Sequence, residues 1–178
     1  MEADWEVEIG GDAPVIVGCW EGLADLRRNP EMAMNLPESR QLANLAEALV
    51  QLNSAASPVW TSKCDVWRPD PFAPDEMDAP EQESRAMACY VDLLPRTDEQ
   101  WPTQEHAVAA CQSVCLRLRN VPLRCCRADL IIRRAWTAPD HKGVGITAYL
   151  TACGSSLDRA GTVLASALRA FAEAIVSG

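Results

Sequence analysis

Hydrophobic and polar residues alternate along several short stretches of this chain, and segments with helical periodicity separate them. Trp5, Val7 and Ile9 alternate with acidic residues, and "VIVGCW" follows after the turn sequence "GGDAP". Alternation with a period of two is typical of β-strands with one buried face, so these stretches predict an N-terminal hairpin. A helix with a stripe of leucines is predicted next, beginning at Pro37 and ending at Asn53.

The same order of elements recurs twice more. The strands "VWTSKCDVW" and "SRAMACYVDLL" precede a helix predicted from about Thr103 to Arg119. The strands "RADLIIRRAW" and "VGITAYLTAC", joined by the loop "TAPDHKG", precede a last helix capped by Ser155 or Ser156. We therefore predict an α+β fold with a mainly antiparallel sheet of about six strands, backed by three helices and built from three strand–strand–helix units.

The length and composition favour one domain. With 178 residues and 48% apolar content, the chain can bury a core of its own, and we predict a single domain over residues 1–178. The three units would span residues 1–56, 57–122 and 123–178. Residues 69–84 are rich in proline and acid, and this composition favours a flexible loop over a functional lid.

Matching residues give internal duplication limited support. Asp65 precedes Cys89 by 24 positions, and Asp129 precedes Cys153 by the same number. Cys19 takes the corresponding place in the first unit, and three thiols brought together could bind a soft metal. Small residues precede each cysteine, however, which favours a simple need for a small side chain, and no metal site is predicted.

The charge distribution narrows the range of partners. A formal net charge of −9 argues against nucleic acid as a partner, although six arginines lie between residues 117 and 134. Those arginines predict either an anion-binding patch or a segment that faces the acidic residues 69–84. No stretch is long and apolar enough to span a membrane, and the acidic N-terminus does not resemble a signal peptide, so a cytoplasmic protein is expected.

The strand "VWTSKCDVW" places a lysine, a cysteine and an aspartate side by side. Alternation assigns Thr61, Lys63, Asp65 and Trp67 to one face, and Trp60, Ser62, Cys64 and Val66 to the other. A lysine that activates a thiolate must share its face, so Cys64 is predicted to be a core residue and not a reactive thiol.

One face of the predicted sheet carries no helix, yet its residues are not all polar. Trp67 and Ile131 share the face of Asp65 and Asp129, and Tyr149 lies among hydroxyl residues on a neighbouring strand. A face that mixes aromatic, hydroxyl and charged groups is more often half-covered than fully solvated. A second subunit or a ligand would cover it, and we favour a homo-oligomer.

A hairpin tip is the other place where chemistry could occur. Asp140, His141 and Lys142 lie together in "TAPDHKGVG", where an acid, a base and a cation could transfer protons or bind an anion. The alternative is a polar turn whose proline, aspartate and glycine serve backbone geometry, and this alternative is favoured.

These observations predict a non-catalytic or accessory binding domain that uses a sheet face or a subunit junction to bind a partner or a small anionic ligand. Arg133, Arg134 and Tyr149 are the residues expected to bind that ligand. The alternative is a small-molecule enzyme with a site at the rim of the sheet, formed by Lys63, Asp65, Asp129, His141 and Lys142. The sequence identifies no cofactor.

Overall fold

The computed structural model of the protein describes residues 1–80, 82–138 and 141–177. The strands are β1 (Glu2–Glu8), β2 (Ile16–Val17), β3 (Val59–Trp67), β4 (Arg85–Pro95), β5 (Cys126–Ala138) and β6 (His141–Gly154). The α-helices are α1 (Leu45–Asn53), α2 (Gln104–Arg119) and α3 (Leu157–Val176), and three short 3-10 helices cover Pro30–Asn35, Glu38–Arg40 and Pro74–Met77. Among the described residues, no helix has the length and apolarity needed to cross a membrane.

The six strands form one sheet with the order β1-β5-β6-β4-β3, and β2 also pairs with β5. The prediction of an α+β fold with six strands and three helices is confirmed. The prediction of a mainly antiparallel sheet is wrong, because β1 and β2 both run parallel to β5. The β3–β4, β4–β6 and β5–β6 pairs are antiparallel, so the sheet is mixed.

The predicted N-terminal hairpin does not form. β1 and β2 lie one after the other along the same side of β5, and the turn sequence between them bends the chain without reversing it. Arg134 fixes this bend, since its Nη2 donates hydrogen bonds to the carbonyls of Gly10 and Gly11 at 3.0 and 3.1 Å. Turn composition predicts that a chain changes direction, but not which strand it pairs with afterwards.

The three α-helices pack together on one face of the sheet and enclose the main core. On β4, Cys89, Val91 and Leu93 alternate toward this helical layer and are fully buried. The predicted boundaries of α2 and α3 agree with the structure, and the hydroxyl of Ser156 caps α3 by accepting a hydrogen bond from the backbone N–H of Arg159.

The first helix is shorter than predicted. Residues 38–40 form a 3-10 helix where the α-helix was expected to begin, and α1 starts at Leu45. Asn44, directly before it, has a φ of 66°, in the left-handed region. The leucine periodicity marks the side that is buried, but it does not reveal this break in the backbone.

A β-bulge in β3 changes which residues share a face. Thr61 is the cross-strand partner of Leu93 and Cys64 that of Val91, so two residues of β3 oppose one residue of β4. Thr61 therefore points to the helical layer, where its hydroxyl accepts a 2.7 Å hydrogen bond from Asn53 of α1. The prediction that Thr61 shares the face of Lys63 is wrong, as is the prediction that Trp60 shares the face of Cys64 and Val66.

The residue matches offered for a three-unit repeat do not correspond in space. Cys89 lies on the helical face of the sheet, whereas Cys153 lies on the opposite face. Cross-strand pairing instead relates Asp65 to Tyr90 and Asp129 to Tyr149. The second and third units are both antiparallel hairpins followed by a helix, but the first unit is not.

Within the described part of residues 69–84, the chain folds back onto the sheet. The 3-10 helix Pro74–Met77 places the Met77 side chain against Ala86 and Cys153, where it is buried. Residue 81 lies outside the described residues. The flexibility proposed for this segment stays a prediction.

Candidate functional site

The face of the sheet opposite the three α-helices is covered at its two ends and open between them. At one end, Ile16, Trp60, Leu94 and Ala135 form a small apolar cluster. At the other end, Met77, Ala86 and Cys153 form a second cluster. We call the open region between these clusters the trough. It runs across the strands, from the β3 edge to the β1 edge.

A row of cross-strand neighbours follows the middle of the trough. In order, it consists of Asp65 on β3, Tyr90 on β4, Tyr149 on β6, Asp129 on β5 and Asp4 on β1. On β4 and β6 the tyrosines lie four residues from Ala86 and Cys153 of one end cluster, which is about 13 Å along a strand. The row is therefore two central tyrosines with aspartates on both sides.

Three aromatic rings form the centre of the trough. The Tyr90 and Tyr149 ring centroids are 5.9 Å apart, and the Trp67 ring lies 6.3 Å from Tyr90 and 6.2 Å from Tyr149. The Trp67 and Tyr149 rings meet edge to face, a geometry that is favourable for aromatic pairs. Trp67 remains 36% exposed, so part of this aromatic surface is open to solvent.

A buried polar network lies beside the rings. The Thr147 hydroxyl donates a 2.6 Å hydrogen bond to Asp92 Oδ1 and accepts one of 3.2 Å from Arg133 Nη1. Arg133 Nη1 also donates to the Tyr149 hydroxyl, and Arg133 Nη2 lies 2.7 Å from Glu8 Oε2. Asp92 and Arg133 are only 8% and 9% exposed, so these contacts link β4, β6, β5 and β1 below the surface of the trough.

Two side chains in and beside the network, Asp92 and Tyr90, have raised pKa values. Burial raises the pKa of Asp92, and the Thr147 hydrogen bond and the charges of Arg133 and Lys63 oppose that effect. Burial, followed by the nearby charges of Asp92 and Asp65, raises the pKa of Tyr90 to about 12. Tyr90 therefore stays neutral over the physiological range and presents a phenol rather than a phenolate to the trough.

The cationic side chains of the trough are engaged with protein partners. Arg127 Nε donates to Asp129 at 2.7 Å, and Arg133 is bound to Glu8. Arg134, the other arginine predicted to hold an anion, binds backbone carbonyls and not the trough. Lys63 lies at the β3 edge, with its Nζ 5.5 Å from the Trp20 ring centroid.

Two clefts extend from the central tyrosines toward opposite edges of the sheet. One of about 330 Å³ lies between β1, β5 and β6, and its lining includes Asp4, Glu6, Asp129 and Tyr149. The other, of about 350 Å³, lies at the bulged edge of β3, and its lining includes Trp20, Glu38, Lys63 and Tyr90. Each cleft has one of the two tyrosines in its lining, and the second cleft also reaches Leu49 of α1 on the helical side of the sheet.

The predicted rim residues do not all converge. Asp65 and Asp129 belong to the same row, but three strand spacings separate them, or about 14 Å. His141 and Lys142 lie at the start of β6, where His141 Nε2 is 3.3 Å from Asp98. Lys142 and Tyr149 are seven positions apart, which is about 23 Å along the strand. Asp140 lies outside the described residues.

Cys64 has the environment of a structural thiol. It packs against the main core beside Val66, and burial raises its pKa to about 12, with Glu38 and Asp65 adding smaller effects. A thiol with a raised pKa forms little thiolate, and thiolate is the nucleophilic species. The environment of Cys64 therefore does not support activation of its thiol by the adjacent Lys63.

Sequence patterns did not predict the roles of Asp92, Thr147 and Glu8, or the contact between Tyr90 and Tyr149. Asp92 could have been noticed, since it is the only charged residue in the otherwise uncharged run "AMACYVDLLP". A lone acid in a buried strand requires polar partners. Its partners come from other strands, and Arg133 and Glu8 are 125 positions apart, so the network itself has no local sequence signal.

No group of three or more His, Cys, Asp or Glu side chains suited to a metal ion occurs in the described ranges. Comparisons with models of protein families, with curated proteins and with solved structures found no match to this chain. Function is therefore inferred from the chemistry of the trough alone.

Proposed function

We propose that this protein is a non-catalytic binding domain and that the trough is its binding surface. The supporting observation is the aromatic centre: Trp67, Tyr90 and Tyr149 contact one another on a sheet face that the α-helices leave open. Partly exposed aromatic side chains at the centre of a polar surface are typical of binding sites. The buried Asp92–Thr147–Arg133 network holds this centre rigid by linking the strands beneath it.

Binding is favoured over catalysis because the trough lacks a paired nucleophile and base among the described residues. The hydroxyl of Thr147 donates to Asp92, but both groups are buried and Thr147 is only 1% exposed. The thiol of the partly buried Cys64 has a raised pKa. His141 is remote from the aromatic rings.

An enzyme with a rim site built from Lys63, Asp65, Asp129, His141 and Lys142 is the second candidate. One observation supports it: Asp92, whose pKa is raised, lies near the charge of Lys63. Acids with raised pKa values in clefts are frequent in active sites, although structural networks shift pKa values too. The rim enzyme requires His141 and Lys142 at the hairpin tip, whereas the binding domain does not.

A thermal-melt screen against metabolites, phosphorylated compounds, short peptides and divalent metals tests the proposal. A ligand at a hundred times its dissociation constant stabilises the folded state by about 2.7 kcal/mol, which raises the melting temperature by several degrees. We expect the shift to be lost in Trp67→Ala and kept in the double variant His141→Ala/Lys142→Ala. The reverse pattern would reject the trough and favour the rim enzyme.

Two further parts of the proposal concern partners. The homo-oligomer predicted from the sequence is tested by light scattering on the purified protein, where a monomeric mass would reject it.

Nucleic-acid binding through the arginine-rich segment is disfavoured by the net charge of −9. Salt-sensitive retention on immobilised nucleic acid would contradict that view.

A further inference from the structure

The trough carries an excess of negative charge that its own cations do not offset. Among the described residues on or beside it, the carboxylates are Glu2, Asp4, Glu6, Glu8, Glu38, Asp65, Glu76, Asp92 and Asp129, and the cationic side chains are Lys63, Arg119, Arg127 and Arg133. Arg127 and Arg133 are each held by one of these carboxylates. The surface is therefore complementary to a cationic partner. Two copies of it would repel each other, so a homo-oligomer would have to form through another surface of the protein.

The β1 end of the trough has two aspartates side by side, which concentrates negative charge there. Asp4 and Asp129 are direct cross-strand partners, and like charges in that position destabilise a sheet. Arg127 compensates the charge of Asp129. Asp4 Oδ1 accepts a 2.9 Å hydrogen bond from the backbone N–H of Trp5, and its one cationic contact is with Arg119 at 3.7 Å, where both side chains are more than half exposed. A cation placed here from outside would offset the remaining repulsion.

We propose that the trough binds an extended basic peptide that lies across the strands, and this inference rests on the proposed binding function. Three strand spacings between Asp65 and Asp129 amount to about 14 Å. Four residues of an extended chain span about 13–14 Å, and residues i, i+2 and i+4 point to the same side. A basic residue at i would reach Asp65, and one at i+4 would reach the position where Asp129 and its cross-strand partner Asp4 lie side by side.

The central residue of such a peptide would meet the aromatic rings. With its basic residues at Asp65 and Asp129, residue i+2 lies over Tyr90 and Tyr149, where an apolar side chain buries surface against the rings. The end clusters limit the trough on both sides, so a chain crossing the strands fits the open direction. The preferred motif is therefore basic–x–apolar–x–basic.

The test uses fluorescently labelled peptides and the full chain, with binding followed by anisotropy. The probe has lysines at i and i+4 and leucine at i+2, and its controls carry the same residues with the lysines two apart, or glutamates in place of the lysines. We expect the first peptide to bind best, the glutamate peptide not to bind, and rising salt to weaken binding. Asp65→Asn should weaken binding by up to about fivefold.

Glu173→Gln is the matched protein control, since it removes an exposed carboxylate from α3 on the other side of the sheet and should leave affinity unchanged. Unchanged melting of Asp65→Asn would show that its fold is intact. Equal affinity for both lysine spacings, binding of spermidine with the same Asp65 dependence, or no binding at about 1 mM would overturn the inference. A different ligand whose thermal shift is lost in Trp67→Ala would then leave the proposed binding function standing.

Discussion

At the scale of single residues, the least expected feature is an acid buried in the middle of a central strand. Asp92 is 8% exposed and accepts a hydrogen bond from Thr147. A buried carboxylate costs free energy of desolvation, which an apolar residue of similar volume would avoid. A buried carboxylate with such partners therefore usually fixes the arrangement of neighbouring side chains or serves a function. Here the acid aligns Thr147 and Arg133, and Arg133 in turn holds Tyr149.

Asp92 should make stability depend on pH in a defined direction. Its pKa is raised by folding above the ordinary value of 3.8, so between those two pKa values the folded state binds more protons than the unfolded state. The contribution of Asp92 to the free energy of unfolding therefore falls as pH rises through that interval. Asp92→Asn does not titrate, so its stability relative to the native protein should increase with pH.

Urea denaturation of the native protein and of Asp92→Asn, from pH 4 to pH 8, measures this difference. Asp65→Asn controls for the loss of one negative charge from the same face of the sheet. A difference between the native protein and Asp92→Asn that stays constant or declines with pH would show that burial does not dominate the titration of Asp92.

At the scale of elements, β6 packs tightly against β2, the short strand near the N-terminus. A methyl group added at Gly145 would lie 2.9 Å from both Ile16 Cδ1 and the backbone carbonyl of Leu93. The backbone carbonyl cannot move without disturbing the β4–β6 pairing. β2 is only two residues long, so this close approach helps to hold it against the sheet.

Gly145→Ala should therefore destabilise the protein by about 1–3 kcal/mol, the usual cost of overpacking. Gly143→Ala is the matched control, because a methyl group there meets nothing within 4 Å, and its effect should stay within about 0.5 kcal/mol. Chemical denaturation of both variants provides the comparison. Equal stabilities would mean that β2 is not seated against Gly145.

The sequence predicted those elements whose signals are local. Alternation identified β3 to β6, and capping and periodicity identified α2 and α3. The pairing of β1 with β5 was not predictable in this way, since it joins residues more than a hundred positions apart. The bulge at Thr61–Cys64 also has no composition signal, and it reversed the assigned faces of Thr61 and Trp60.

The candidate site was predictable to a similar extent. Alternation placed Asp65, Asp129, Trp67 and Tyr149 on one face without a helix, and the structure brings them to the same trough. It did not predict the strand order, which separates Asp65 from Asp129 by two tyrosine-bearing strands and leaves His141 at a distant tip. Strand order depends on long-range pairing, which the period of a strand does not encode.

At the scale of the whole molecule, the two faces of the sheet differ in composition and in covering. One face is closed by α1, α2 and α3 and supplies the hydrophobic core. The other face holds a buried polar network, an aromatic centre and an excess of carboxylates. Stability comes mainly from the first face, because apolar burial is the dominant favourable term in folding. In the proposed function, the second face is the one that binds a partner.

Mapping of backbone amide chemical shifts during titration with the basic peptide shows which surface of the protein is used. We predict that the largest changes cluster at Asp65, Tyr90, Tyr149 and Asp129 and that they disappear in Trp67→Ala. Changes confined to α3, or to the hairpin tip at His141, would show that the trough is not the binding surface.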